Sequence, residues 1–188
     1  MAEHVILFTG PMGAGKTTAI KALSEIEVVS TEANNSERDV VDKPTTTVAL
    51  DYGEIVLGND EKIRMYGIPG QRRFDFMWAI LKQRAEGMVL LVNNDVADPI
   101  AEMLAFMDDF RELCDHGGVV VGISRSDLAA EPTPSDYARA LEEVYPELTV
   151  PIFTVDPRDG GHMQMALLTL IINLEMRASL GQAGVQQA

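Results

Sequence analysis

The chain has 188 residues, 46% of them hydrophobic and 23% charged, with a formal net charge of −14. That size and apolar content exclude a disordered chain and suit one domain with an adequate core. The charge argues against nucleic acid or an anionic membrane as the main partner, because both need a basic surface. Cys114 is the single cysteine, so there is no disulfide framework and a reducing cytoplasm is expected. The start of the chain has no basic segment followed by an apolar one, and no apolar run approaches a membrane span. It has no C-a-a-X box, and Ala2 stands where myristoylation needs glycine, so no direct membrane anchor is expected.

In chain order, residues 4–9 read as a buried strand and 15–25 as a helix. Between them lies Gly10-Pro11-Met12-Gly13-Ala14-Gly15-Lys16-Thr17, which fits the phosphate-binding pattern G-x-x-x-x-G-K-[ST] in its strand–loop–helix context. The glycines let backbone N–H groups turn inward around phosphate oxygens, and the helix start adds its positive dipole end. Lys16 would reach the β- and γ-phosphates and Thr17 would ligate Mg²⁺. Without those flanks the same residues would be an unrelated glycine turn.

Residues 27–45 are polar and long for a loop in a compact domain, which marks functional or mobile segments. Val48 to Leu57 and Lys62 to Tyr66 read as strands joined through Gly58-Asn59-Asp60-Glu61, a hairpin signal. Arg72 to Ala85 is helical, with Phe74, Met77, Trp78 and Leu81 on one face. Gly87 to Asn93 is a fully buried strand. Asp98-Pro99 caps a helix that runs to about Cys114. Residues 119–123 are another buried strand, and Thr133-Pro134 opens a helix to about Val144. Residues 151–155 form the last strand, 162–178 the last helix, and 181–188 a frayed tail outside the single domain of residues 1–180. This alternation predicts an α/β fold: an open, mostly parallel six-stranded sheet with helices on both faces and one antiparallel edge strand. Ligands in such sheets sit at the carboxyl ends of the strands.

Four more segments fall at those ends. Thr45-Thr46-Thr47 closes the long loop, where a hydroxyl can cover the γ-phosphate and ligate Mg²⁺; taken alone it is a threonine-rich strand start. In Pro69-Gly70-Gln71, Gly70 can offer an N–H to the γ-phosphate and Gln71 can orient water. In Ser124-Arg125-Ser126-Asp127, Asp127 can accept from the N1–H and 2-amino group of guanine, a pattern adenine lacks; an ordinary turn or N-cap aspartate is the equal alternative. Asp156-Pro157-Arg158 follows the last strand. The histidines His4, His116 and His162 have no ligand-spaced neighbours and read as surface or turn residues.

Order and spacing together resemble the small Ras-like GTPases over nearly the whole chain. More narrowly, they resemble the bacterial branch of the gliding-motility MglA proteins and the GTPases of actinobacterial conservon operons. Gly10 to Thr18, Thr47-Val48-Ala49-Leu50-Asp51, Tyr66-Gly67-Ile68-Pro69-Gly70-Gln71, Ser124 to Asp127 and Asp156 to Arg158 carry the likeness. The resemblance implies a P-loop NTPase that binds GTP or GDP with Mg²⁺. It implies Lys16, Thr47 and Gln71 as catalytic residues and Thr17 and Thr47 as metal ligands. Gly10, Met12, Gly13, Ala14, Gly15, Lys16, Thr17, Thr18 and Gly70 would hold the phosphates. Ser124, Arg125, Asp127, Asp156, Pro157 and Arg158 would hold the base. A roadblock-type protein is the partner it implies.

The departures are local. Most small GTPases have Asp-x-x-Gly where this chain has Gly67-Ile68-Pro69-Gly70, so the aspartate that holds a magnesium-bound water is gone. Mg²⁺ would lean on Thr17, Thr47 and the phosphates, with Asp51 able to substitute only if the loop folds back. The usual Asn-Lys-x-Asp is Ser124-Arg125-Ser126-Asp127, and the usual Ser-Ala-Lys is Asp156-Pro157-Arg158. Thr46 stands where the MglA proteins carry an intrinsic arginine, leaving Arg38, Arg72 and Arg73 as candidates. Met12 would crowd the space beside the γ-phosphate and slow hydrolysis. The reading is a regulatory GTPase of low intrinsic activity, switched by nucleotide and read by a protein partner. A module that holds nucleotide without turnover is the alternative. An ATP-dependent phosphotransferase would need an arginine-rich lid that the sequence does not show.

Overall fold

Strands β5 (Gly87–Asn93) and β6 (Gly118–Ser124) are buried at every position, as runs without polar alternation must be when helices cover both faces. They are the centre of a seven-stranded sheet in the computed structural model, which describes residues 3–30, 50–57, 61–70, 75–116 and 118–185. The others are β1 (Glu3–Thr9), β2 (Val29–Ser30), β3 (Asp51–Val56), β4 (Lys62–Gly67) and β7 (Ile152–Thr154), in the order β2-β3-β4-β1-β5-β6-β7. β4, β1, β5, β6 and β7 run parallel, while β3 pairs antiparallel with both β2 and β4. The sheet therefore has one strand more than the sequence predicts. β2 lies inside the stretch read as loop, and its two exposed residues are too few to show a period.

Helices α1 (Lys16–Leu23) and α6 (Gly160–Val185) cover one face of the sheet. There Met163, Ala166, Leu167 and Leu170 meet Ile6, Phe8 and Ile20. Helices α2 (Asp75–Lys82), α3 (Pro99–Asp109), α4 (Arg111–His116) and α5 (Pro134–Val144) cover the other, around Leu7, Val92, Met107, Phe110 and Tyr137. Asp98 caps α3 by accepting from the Ala101 N–H at 3.0 Å, and Asp136 accepts from the Thr133 N–H at 2.9 Å at the start of α5. The single helix expected from Asp98 to Cys114 breaks at Phe110. That ring is fully buried, 5.1 Å from the Trp78 ring centre and under the Lys82 ammonium. The last helix is longer than expected and takes in residues read as tail, to Val185. No helix among the described residues is long and apolar enough to cross a membrane.

Candidate functional site

The phosphate-binding loop leaves β1 and turns into α1 through three left-handed glycines, Gly10, Gly13 and Gly15. At Gly15 (φ +94°) a Cβ would also come within 2.6 Å of the Pro157 ring, so only glycine lets the loop pass under the Asp156–Arg158 segment. Ala14 is buried, whereas Met12 is 77% exposed at the loop tip. The Lys16 ammonium donates to the carbonyls of Gly10 at 2.8 Å and Pro11 at 2.7 Å, across the mouth of its own loop. Burial lowers its pKa from 10.5 to about 8, against the opposing pull of the Asp51 charge.

Asp51 lies beside Thr17 from the first position of β3. It begins β3, directly opposite Gly67 on β4. Its carboxylate accepts from the Thr17 hydroxyl through Oδ2 and from the Ser30 hydroxyl at 2.7 Å through Oδ1. A Cβ on Gly67 would sit 3.0 Å from the Asp51 Cβ and 3.1 Å from its Oδ2. The carboxylate thus fills the space that a side chain at position 67 would otherwise use. A buried aspartate touching a threonine hydroxyl at the end of a phosphate loop is a hard oxygen donor set, which fits Mg²⁺ shared with phosphates. Among the described residues no group of three or more His, Cys, Asp or Glu forms a metal centre by itself.

Beside the phosphate loop lies a cavity of about 650 Å³ lined by Gly13, Ala14, Gly15, Thr18, Ser124 to Leu128, Thr154 to Arg158 and His162. Arg125 has φ +60°, uncommon for a residue with a Cβ. That turn sends its guanidinium back over the phosphate loop, donating to the Gly13 carbonyl at 3.0 Å and to Asp95 at 3.0 Å, while Asp127 faces the cavity. Ser124 lines the wall, but its hydroxyl donates to the Val92 carbonyl at 3.0 Å and ties β6 to β5. Asp156 accepts from the Arg158 backbone N–H and from its guanidinium, both at 2.8–2.9 Å, and that pairing lowers its pKa to about 2. His162 is exposed, as the sequence suggests, and its Nδ1 accepts the Asp156 N–H at 3.1 Å beside the cavity it helps line.

Two asparagines at the end of β5 escaped the sequence reading. Asn93 donates to the Met12 carbonyl. Asn94 is buried, donates to the carbonyls of Ala129 at 2.7 Å and Pro132 at 3.1 Å, and accepts from the Tyr137 hydroxyl at 2.7 Å. This anchors the loop that carries Asp127. Two polar residues ending an otherwise apolar strand were the available signal.

On the γ-phosphate side, the Gly70 backbone lies against the phosphate loop, since a Cβ there would meet the Gly10 carbonyl at 2.2 Å. The preceding Pro69 carbonyl accepts from the Trp78 indole at 3.1 Å. Trp78 is core, and Ile80 is exposed among the described side chains of α2. Thr45 to Thr47, Gln71, Arg72, Arg73, Phe74, Arg38 and the turn at 58–60 lie outside the described residues, as do the side chains of Phe76 and Met77. A larger cleft, about 1180 Å³, lies between α2, α4 and α6 near the amino ends of β5 and β6, and no phosphate-loop residue lines it.

The parts that meet at one pole are therefore a phosphate loop with its lysine, a threonine–aspartate pair and a cavity lined by Asp127. No curated protein matches the chain. The model of the family described as 50S ribosome-binding GTPase matches residues 5–128, a span that runs from β1 through Asp127. The chain belongs to that GTPase family, and its general chemistry is the binding and hydrolysis of GTP.

Proposed function

We propose that the chain is a small regulatory GTPase of the MglA and conservon type, which holds GTP or GDP with Mg²⁺, hydrolyses GTP slowly and changes its affinity for a protein partner. The observation that supports a switch is the path from Gly10 to Gly70, Pro69 and the Trp78 indole. The γ-phosphate is the one chemical difference between the two nucleotides. A group that grips it beside Gly10 also displaces Gly70, and Pro69 passes that displacement to α2 and exposed Ile80. In the roles assigned here, Lys16 balances the phosphate charge, and Thr17 and Asp51 hold Mg²⁺, which supplies charge neutralisation at the phosphates. Gln71 orients water and Thr47 closes the site. Arg125 is held by Gly13 and Asp95, so it is not a free arginine finger, and Met12 narrows the approach. Asp127 selects guanine. The family description names the ribosome, but a chain of net charge −14 is repelled by RNA phosphates. The charge favours a protein partner, with a roadblock-type protein as the first candidate.

The test is capture of partners from the source cells on protein loaded with a non-hydrolysable GTP analogue or with GDP, followed by affinities for what is captured. The expected preference for the GTP state is at least about tenfold, or ~1.4 kcal/mol. Ile80→Asp should weaken the partner and leave nucleotide affinity unchanged. Equal affinity in both states would leave a nucleotide-holding module as the better reading.

A further inference from the structure

Helix α6 is apolar on both sides. Met163, Ala166, Leu167 and Leu170 pack into the core, while Met165, Leu168, Ile172 and Met176 are 45%, 58%, 54% and 58% exposed. Helix α5 shows the ordinary arrangement in the same molecule: Tyr137 and Leu141 point in, and Arg139, Glu142 and Glu143 stay outside. A helix that is hydrophobic all round is normally covered all round. The four outward residues stand at spacings of three, four and four, so they form one stripe along the helix.

We propose that this stripe is a homodimer surface, on which α6 packs antiparallel against α6 of a second copy. The stripe is close to palindromic. Read from either end it runs Met, branched aliphatic, branched aliphatic, Met. An antiparallel two-fold near residues 170–171 sets Met165 against Met176 of the other copy and Leu168 against Ile172. This is the self-complementarity an isologous contact requires. Charge points to the same occupant. Two bodies of net charge −14 repel each other over most of their surfaces, yet from Met163 to Arg177 the only acidic or basic side chains are Glu175 and Arg177. The antiparallel arrangement places the two copies of Glu175 at opposite ends of the contact; a parallel one would set them side by side. The exposed parts of the four side chains come to roughly 400 Å² per copy, so the pair buries about 800 Å² before flanking Gln164, Thr169 and Asn173 are counted, against the ~1,200 Å² at which stable interfaces begin. The dimer is thus reversible. It uses the face of the sheet opposite α2, so the surface assigned to the partner stays open.

Sedimentation velocity of the full chain from 2 to 200 µM reads this directly. The expected result is a concentration-dependent monomer–dimer equilibrium that tightens as NaCl rises from 50 to 500 mM, because salt screens the repulsion between the bodies. Ile172→Glu and Leu168→Glu should each weaken it at least tenfold while GDP affinity, measured in parallel, stays unchanged. That control reports on folding and on the nucleotide site separately from the dimer. For register, an equal mixture of Met165→Cys and Met176→Cys proteins should cross-link under mild oxidation, and Met165→Cys alone should not. Four outcomes overturn the proposal: a monomer at every concentration, a dimer indifferent to Ile172→Glu, efficient self-cross-linking of Met165→Cys, or a monomer that co-sediments with anionic lipid vesicles through this stripe.

Discussion

Asp51 and Gly67 face each other across the β3–β4 ladder, so an acid stands on the adjacent strand directly opposite the glycine. The two positions compete for one volume, because a Cβ at 67 also meets Ile20 Cδ1 at 2.9 Å. Asp51→Asn should therefore lower Mg²⁺-dependent GTP affinity by about ten- to a hundredfold, the usual scale for a group that orients a metal ligand. Gly67→Asp alone should destabilise the protein, and the double variant Asp51→Gly/Gly67→Asp should recover much of the Mg²⁺ dependence. A double variant no better than Asp51→Gly in a Mg²⁺ titration would contradict the exchange. Lys16 carries the second residue-scale prediction. In the ligand-free protein its pKa is about 8, below the ordinary 10.5, so between those values the unfolded chain binds more protons and stability rises with pH. Facing phosphate, the ammonium is favoured again. GDP binding above pH 8 then takes up a proton, and affinity is full below that pH and falls above it. Calorimetry from pH 7 to 8.8 in buffers of different ionisation enthalpy should show this uptake, and Lys16→Met should abolish it.

The loop from Arg125 to Pro132 carries Asp127, the residue proposed to read the base, and it is held from behind. Asn94 at the end of β5 bonds two of its carbonyls, and Tyr137 of α5 holds Asn94. Both anchors are buried, so an unpaired group there is costly, about 1–3 kcal/mol. Tyr137→Phe should lower stability by that order. It should also loosen the placement of Asp127, so that the preference for GDP over ADP shrinks while affinity for inorganic pyrophosphate does not. If all three ligands weaken equally in parallel titrations, the clasp supports the fold and not the base loop in particular. On the same face of the sheet, the Trp78–Pro69 bond gives α2 a similar tether to the segment ending in Gly70.

For the molecule as a whole, the parallel strands deliver the phosphate loop, the turn at 124–128 and the segment at 156–158 to one pole, as the carboxyl ends of an open α/β sheet do, and antiparallel β3 brings Asp51 there from its amino end. Ligand bound there stabilises only the folded chain. At a hundred times the dissociation constant, GDP adds about 2.7 kcal/mol, which for a domain of this size is roughly 5–10 °C in Tm. Differential scanning fluorimetry should show that rise with GDP plus Mg²⁺ and less than a third of it with ADP at equal concentration. An equal rise with ADP would remove Asp127 from its assigned role. The acidic surface matters at this scale too, since it steers basic partners toward the chain and leaves α6 as a face where like molecules can meet.

Some of this is written locally in the chain. The phosphate loop is a run of neighbouring residues whose glycines and lysine act within a few positions of each other. The buried strands β5 and β6 and the caps at Asp98 and Thr133 are likewise short-range patterns, and all appear where the sequence places them. Strand β2, the break at Phe110, the acid at Asp51 and the clamp by Arg125 do not. Thr17 and Asp51 are 34 positions apart, and Arg125 and Gly13 are 112 apart. Their meeting depends on strand register and on a left-handed turn at Arg125, which the rest of the fold imposes. Spacing along the chain shows which residues can do the chemistry. Only the pairing of β3 with β4 and the packing of β6 beside β5 decide which of them reach one another, because hydrogen bonds and charge act over a few ångströms of space and not over sequence.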